Sequence, residues 1–150
     1  MQHLTGHPMM RGLTLVEMLI TLAVIGILGT LAYPSYQDHV MRARRSEAFS
    51  ALSAVAQAQD RWRAKHTQYA SSLTDLGVQS TSSPGRYYQI ELQSDASTRH
   101  THYMAIARAV GAQSADSRCA VLRMGQHGRQ PLRSASNQRG ADSTQECWPN

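Results

Sequence analysis

The sequence predicts an α+β protein: a long N-terminal helical spine packed on an antiparallel sheet of three or four strands. Three observations predict it. An apolar run fills Leu13 to Ala32, a helical-period stripe follows it without a polar break to about Tyr69, and short alternating segments separated by turn residues come after. A chain of 150 residues carries one modest domain on such a spine.

The apolar run comes first. As a helix its 20 residues span about 30 Å, the thickness of a hydrocarbon core. A secretory signal wants a shorter apolar core closed by a small-x-small site. Thr30-Leu31-Ala32 matches that site poorly, and the run passes straight into Tyr33-Pro34-Ser35-Tyr36. A single acidic residue, Glu17, stands inside the run. A charge at the centre of a bilayer costs roughly 3 kcal/mol, so a plain anchor leaves Glu17 unexplained. Arg11 and Gly12 stand directly before the run. A cut after Gly12 makes Leu13 a new N-terminus, and Glu17 then lies one helical turn from its free amine. Gly26 and Gly29 each weaken a helix by about 1 kcal/mol relative to Ala, and Pro34 removes a backbone donor. Small residues here serve close helix packing in lipid, with Pro34 as a kink at the membrane surface.

The second half of the spine is amphipathic. Leu52, Val55, Gln59, Trp62, His66 and Tyr69 recur at steps of three and four, flanked by Ala48, Ala51 and Ala56. Trp62 belongs to this core stripe. Arg42, Arg45, Asp60, Arg61 and Lys65 are read as the opposite, solvated face. Arg42, Arg44 and Arg45 form a basic knot just past the membrane surface, suited to lipid headgroups or to a neighbouring copy's Asp38 or Glu47.

The C-terminal half supplies what the stripe buries against. Tyr87 to Leu92 and Tyr103 to Val110 alternate, Cys119 to Met124 is a third run, and Gln130 to Ser134 a fourth. Gly125-Gln126-His127-Gly128 reads as the turn between the last two. Consecutive short strands favour an antiparallel meander on the helix. Ser71 to Arg86, rich in Ser, Thr, Gly and Pro, reads as a connecting loop, and the tail from Ser134 as irregular.

Arg11-Gly12-Leu13-Thr14-Leu15-Val16-Glu17 resembles the processing motif of type IV prepilins. That pattern is a short basic leader ending in Gly, then a large apolar residue, Thr, Leu, an apolar residue and Glu. Phe is commonest where this chain has Leu13, and bulky aliphatic residues also occur there. Met1, Met9 and Met10 each begin a leader that keeps Arg11. The likeness continues through Tyr33-Pro34-Ser35-Tyr36, Arg42 to Ala48, Tyr69 with Leu73 and Leu76-Gly77, Tyr87-Tyr88, and Cys147-Trp148. These resemble the PilE-like minor pilins of the type IV pilin family.

The resemblance implies a layout and a role. Residues 1–12 form a leader removed by prepilin peptidase, which cuts between Gly12 and Leu13 and N-methylates Leu13. Residues 13–33 form the transmembrane and filament-core helix, 34–70 an amphipathic helix, and 71–150 a loop plus an antiparallel-sheet head. The subunit waits in the bacterial inner membrane with a single span, and an inner-membrane assembly platform then draws it into an extracellular pilus. Its partners are other pilin subunits. Glu17 sets axial register by facing a neighbour's N-terminus inside an apolar core, where attraction grows as the dielectric falls and desolvation opposes it. The stretch between Gly26 and Pro34 can lose helicity in the fibre. The implied functions are pilus assembly, twitching motility and adhesion.

An envelope location beyond the inner membrane is oxidising, so the two cysteines, Cys119 and Cys147, are expected to bridge. The family resemblance pairs the last cysteine with one at the start of a late strand, which here is Cys119. Free thiols and a metal site are the alternatives, and no histidine stands at ligand spacing for zinc. The resulting fold is an α+β head with a disulfide-clamped C-terminal region.

Charge and motifs bound the function. Fifteen Lys and Arg against ten Asp and Glu give a net charge of +5, and every basic residue but Lys65 is Arg. That balance serves solubility, and it also motivates DNA as a further partner. No phosphate loop, His-Glu-x-x-His or Gly-x-Ser-x-Gly is present, so neither a catalytic residue nor a cofactor is expected, and a membrane-anchored enzyme has no grouping to support it. Of seven histidines, His100 and His102 lie two apart, where a strand would point both to one face. They read as a polar strand end rather than as part of a metal site. A type II secretion pseudopilin and a DNA-binding competence pilin are the alternative functions.

Overall fold

The structure is a computed structural model, and it describes residues 14–78 and 80–148. The element order is helix α1 (Leu15–Arg63), strands β1 (Tyr88–Gln93), β2 (His102–Ala109), β3 (Val121–His127) and β4 (Gln130–Ser136), and the short helix α2 (Thr144–Cys147), with a 3-10 turn at Gly111–Ala115. The chain divides into two compact units, one through His39 and one from Val40 onward.

The first unit contains the apolar turns of α1. Thr14 opens the helix: its Oγ1 accepts the Glu17 amide at 3.2 Å, which satisfies one orphan donor of the first turn. Helical structure continues through Gly26, Gly29 and Pro34. Thr21 and Thr30 turn their hydroxyls back onto helix carbonyls, so no polar side-chain donor is left facing outward at those turns.

In the second unit the remaining turns of α1 pack on a four-stranded sheet of order β1-β2-β3-β4, antiparallel throughout. Ala48, Leu52 and Val55 project from one helix face at the expected steps. They meet Tyr88 and Ile90 of β1, Ala105 and Ala107 of β2, Leu122 of β3 and Ala135 of β4. Alternation along each strand puts these residues on the face toward the helix. Full burial of an aliphatic side chain contributes about 1.5–3 kcal/mol, so this single layer carries most of the fold. Cys119 and Cys147 are bonded, with 5.8 Å between their Cα atoms, and both lie in the core.

The sheet edges are covered in part. On the outer side of β1, Ile90 donates to Thr81 O and Ser83 donates to Tyr88 O. On the outer side of β4, Ser143 donates to Ala135 O and the Ala135 amide reaches Thr144 Oγ1. Pro131 in the same strand has no amide hydrogen to offer.

Several expectations are corrected. Arg45 does not lie on the solvated face: it is 5% exposed, three residues before Ala48 on the core stripe. The stripe itself stops at Gln59, because α1 ends at Arg63, short of Tyr69. Arg63 turns back to donate to the carbonyls of His66 and Thr67, and Gln59 pairs with both backbone groups of Ala70. The chain therefore reverses where the periodicity extrapolates a further turn. Trp62 is half-buried and stacks on an exposed His66, with ring centroids 3.8 Å apart, outside the core. Gly125-Gln126-His127 belongs to β3 instead of a turn. The reversal falls at Gly128-Arg129, where Gly128 takes φ +63°, as a two-residue hairpin demands.

Candidate functional site

Two regions carry functional chemistry, one in each unit. The first is the stem. Every residue from Thr14 to Tyr36 is exposed, Leu15 at 76% and Leu31 at 73%. Among the described residues this is the one helix long and apolar enough to cross a membrane. A helix apolar all round is built for lipid or for burial among other helices. Among the described residues, a Cβ placed on Gly26 or Gly29 meets nothing within 4 Å, so packing among them gives no reason for either glycine. Glu17 sits in the first turn, where a carboxylate also complements the helix dipole by about 0.3–1 kcal/mol. Thr14 and Glu17 stand at capping-box spacing, a signal that was available in the sequence and gives Glu17 a local role beside any intersubunit one. Gly12 and Leu13, the expected cleavage and methylation positions, lie outside the described residues.

The second region is the polar knot that joins α1 to the connection between β2 and β3. Arg45 Nε and Nη2 donate to the two carboxylate oxygens of Asp116 at 2.7 and 2.8 Å, and both side chains are almost completely buried. Asp116 also accepts the Cys119 amide at 3.2 Å and Gln113 Nε2 at 3.1 Å. Gln113 reaches Tyr88 Oη at 3.0 Å. Burial, reinforced by the Asp116 charge, pushes the Tyr88 phenol up to about 12, so it stays neutral. A bidentate guanidinium–carboxylate pair is the strong form of this interaction, and it fixes orientation as well as energy. The knot holds the segment that carries Cys119 into β3 against the helix. Of the basic cluster, Arg45 serves this internal bond, and Arg44 lies 4.3 Å over the Tyr87 ring.

Around the disulfide the surface is polar. Ser117, Arg118, Asn137, Gln138, Arg139 and Asp142 line a concavity of about 310 Å³. Thr144 hydrogen bonds hold the Asp142 carboxyl below its ordinary value. Ser143 Oγ donates to Arg118 O at 2.8 Å and fixes the floor. Trp148 closes the tail, with its ring 4.7 Å from Phe49 and its Nε1 donating to Ser134 O. His100 falls in the turn before β2 while His102 begins the strand, so the two do not share a strand face.

An apolar stem that runs on into an amphipathic half-helix, a four-stranded meander on that half, and a disulfide closing the C-terminal region together define the type IV pilin class. Comparison with known proteins agrees. The chain belongs to the family described as type IV minor pilin ComP, DNA uptake sequence receptor, whose model matches residues 34–123. A prokaryotic N-terminal methylation motif matches residues 8–33. The chain is similar to a fimbrial protein of Neisseria meningitidis, 36% identical over 84 residues that cover 55% of this chain and 49% of the relative. It is similar to the type IV major pilin PilE of Neisseria gonorrhoeae at 36% over 82 residues, 54% of this chain and 49% of the relative. Fimbrial protein EcpC of Eikenella corrodens is 52% identical over 40 residues, 27% of this chain and 26% of the relative. The chain thus spans about half the length of the first two relatives.

Proposed function

We propose that this protein is a minor pilin that works by polymerisation. Prepilin peptidase cuts between Gly12 and Leu13 and methylates Leu13. The mature helix anchors the subunit in the inner membrane with one span, and an assembly platform then moves it into a helical surface filament of other pilin subunits. The observation that carries this reading is the stem: an apolar helix exposed on every side, with glycines that packing among the described residues does not require and one carboxylate in its first turn. Burial among like helices accounts for all three, with Glu17 facing a neighbour's amino terminus to set register and the stretch from Gly26 to Pro34 free to unwind. The test replaces Glu17 with Gln or Leu. Expected is loss of the subunit from sheared surface fibres while its membrane pool persists, and the mature protein should start at methylated Leu13 by mass spectrometry. Undiminished incorporation, or an uncut Met1 start, refutes the proposal.

A second reading, DNA capture by the head, is favoured by the description of the family that matches residues 34–123 and by the arginine-rich surface. Arg118 and Arg139 line the polar concavity beside the disulfide together with Asp142 and Glu146, and guanidinium groups are among the side chains that contact phosphate oxygens. Duplex DNA affinity should fall steeply with salt, by roughly 0.9 in log slope per phosphate contacted. Arg118→Gln and Arg139→Gln should each weaken binding and flatten that slope. No affinity for DNA at low salt would rule this reading out.

A further inference from the structure

At the end of the sheet away from the disulfide, His102 begins β2 and His127 closes β3, and the register sets them directly opposite one another. Side chains of directly opposed residues leave the sheet on the same face. The two rings meet edge to face with centroids 4.0 Å apart. Met104 lies two residues beyond His102 on that face, and its cross-strand neighbour is Gly125, which contributes no side chain. His102, Met104 and His127 line one shallow concavity of about 170 Å³, with Asp95 on its rim.

A hydrogen bond holds the His102 ring: Thr101 Oγ1 lies 2.5 Å from His102 Nδ1, so Nε2 is the ring nitrogen left to a metal ion. An oriented imidazole whose other nitrogen is held by a hydrogen bond is the usual state of a metal-ligating histidine. His127 is exposed beside the Gly128 turn, and no packing prevents it from turning a nitrogen toward the same point.

We propose that His102 and His127 form a surface site for a transition-metal ion, with copper(II) as the preferred ion. Imidazole suits copper, nickel and zinc, and copper(II) heads the affinity order of these divalent ions. Among the described residues no three His, Cys, Asp or Glu side chains converge, so water completes the coordination. The fold is already closed by its core and disulfide, so the ion is exchangeable and not a structural requirement. The inference is independent of the pilus and DNA readings.

The test is copper titration of the full-length chain carrying His3→Gln and His7→Gln, so that no Met1-Gln2-His3 chelate competes, in detergent, read by electron paramagnetic resonance and calorimetry. The first equivalent should show coupling to two nitrogens. His102→Gln and His127→Gln should each weaken it by about tenfold or more, and Thr101→Val by about tenfold through the loss of ring orientation. His66→Gln and His100→Gln should leave it unchanged. With the proposed site itself unaltered, substoichiometric copper should broaden the imidazole resonances of His102 and His127 before those of His39, His66 and His100, a readout that does not depend on any substitution within the head. A first equivalent unaffected by both substitutions, or broadening that begins at other histidines, overturns the proposal.

Discussion

Replacing Arg45 with Met keeps most of the volume of the side chain and deletes its guanidinium. Asp116 then loses two charge-assisted hydrogen bonds, at 2.7 and 2.8 Å, and keeps the Cys119 amide and Gln113. Its side chain is 2% exposed, so water cannot replace what is lost without opening the connection between β2 and β3. Hydrogen bonds to charged groups contribute about 1.5–3 kcal/mol each, and unpairing a buried ion costs about 3–5 kcal/mol. A loss of about 4 kcal/mol is expected, which lowers the melting temperature of a unit this size by roughly 15 °C. Thermal unfolding of the full-length protein, followed by the fluorescence of Trp148 and Trp62, measures it. The double variant Arg45→Met with Asp116→Leu should recover most of the loss, because no unpaired charge remains. A single-variant loss below about 1 kcal/mol, the value of an exposed pair, would refute the reasoning.

Three further outcomes follow from the same geometry. Cys119→Ser should destabilise the head by about 3.5 kcal/mol in the chain-entropy account, since the bond closes a separation of 28 residues, and dithiothreitol should reproduce the effect. Gly125→Ala should cost about 1–3 kcal/mol in denaturant unfolding: a Cβ there would lie 2.2 Å from Tyr103 O, a backbone atom that cannot step aside. In an alkaline absorbance titration, Tyr88 and Tyr103 should ionise last, because burial raises both to about 12. These phenols keep their protons longer in the folded state, so their contribution to stability is complete below pH 10 and is lost between pH 10 and about 12.

The helix and the meander were legible because each writes its period into the chain. Leu52 and Val55 follow Ala48 at helical steps, and Tyr88, Ile90 and Leu122 fall at alternate strand positions facing the helix. Arg45 was misread for a reason in the same physics. Its place three residues before Ala48 fits the buried stripe, but hydropathy assigns a guanidinium to water unless its partner is visible, and Asp116 lies 71 residues away. The turn was misplaced because Gly125 and Gly128 look alike in sequence. One is needed for a close backbone approach and the other for a positive φ. Gln59 gave no hint that it would hold both backbone groups of Ala70, so the helix end was extrapolated past the reversal. The pair His102 and His127 was hidden because only strand register makes them neighbours, whereas His100 and His102 caught the eye by being near in sequence.

The partly covered margins of the head limit what can pair with the sheet. An open strand margin is a template for another chain. Here the Thr81–Ser83 segment lies against one margin. Ser143 and Thr144 fill part of the other, beside a proline that cannot bond. Lateral fusion of heads into a growing β-ribbon is thereby discouraged at those positions.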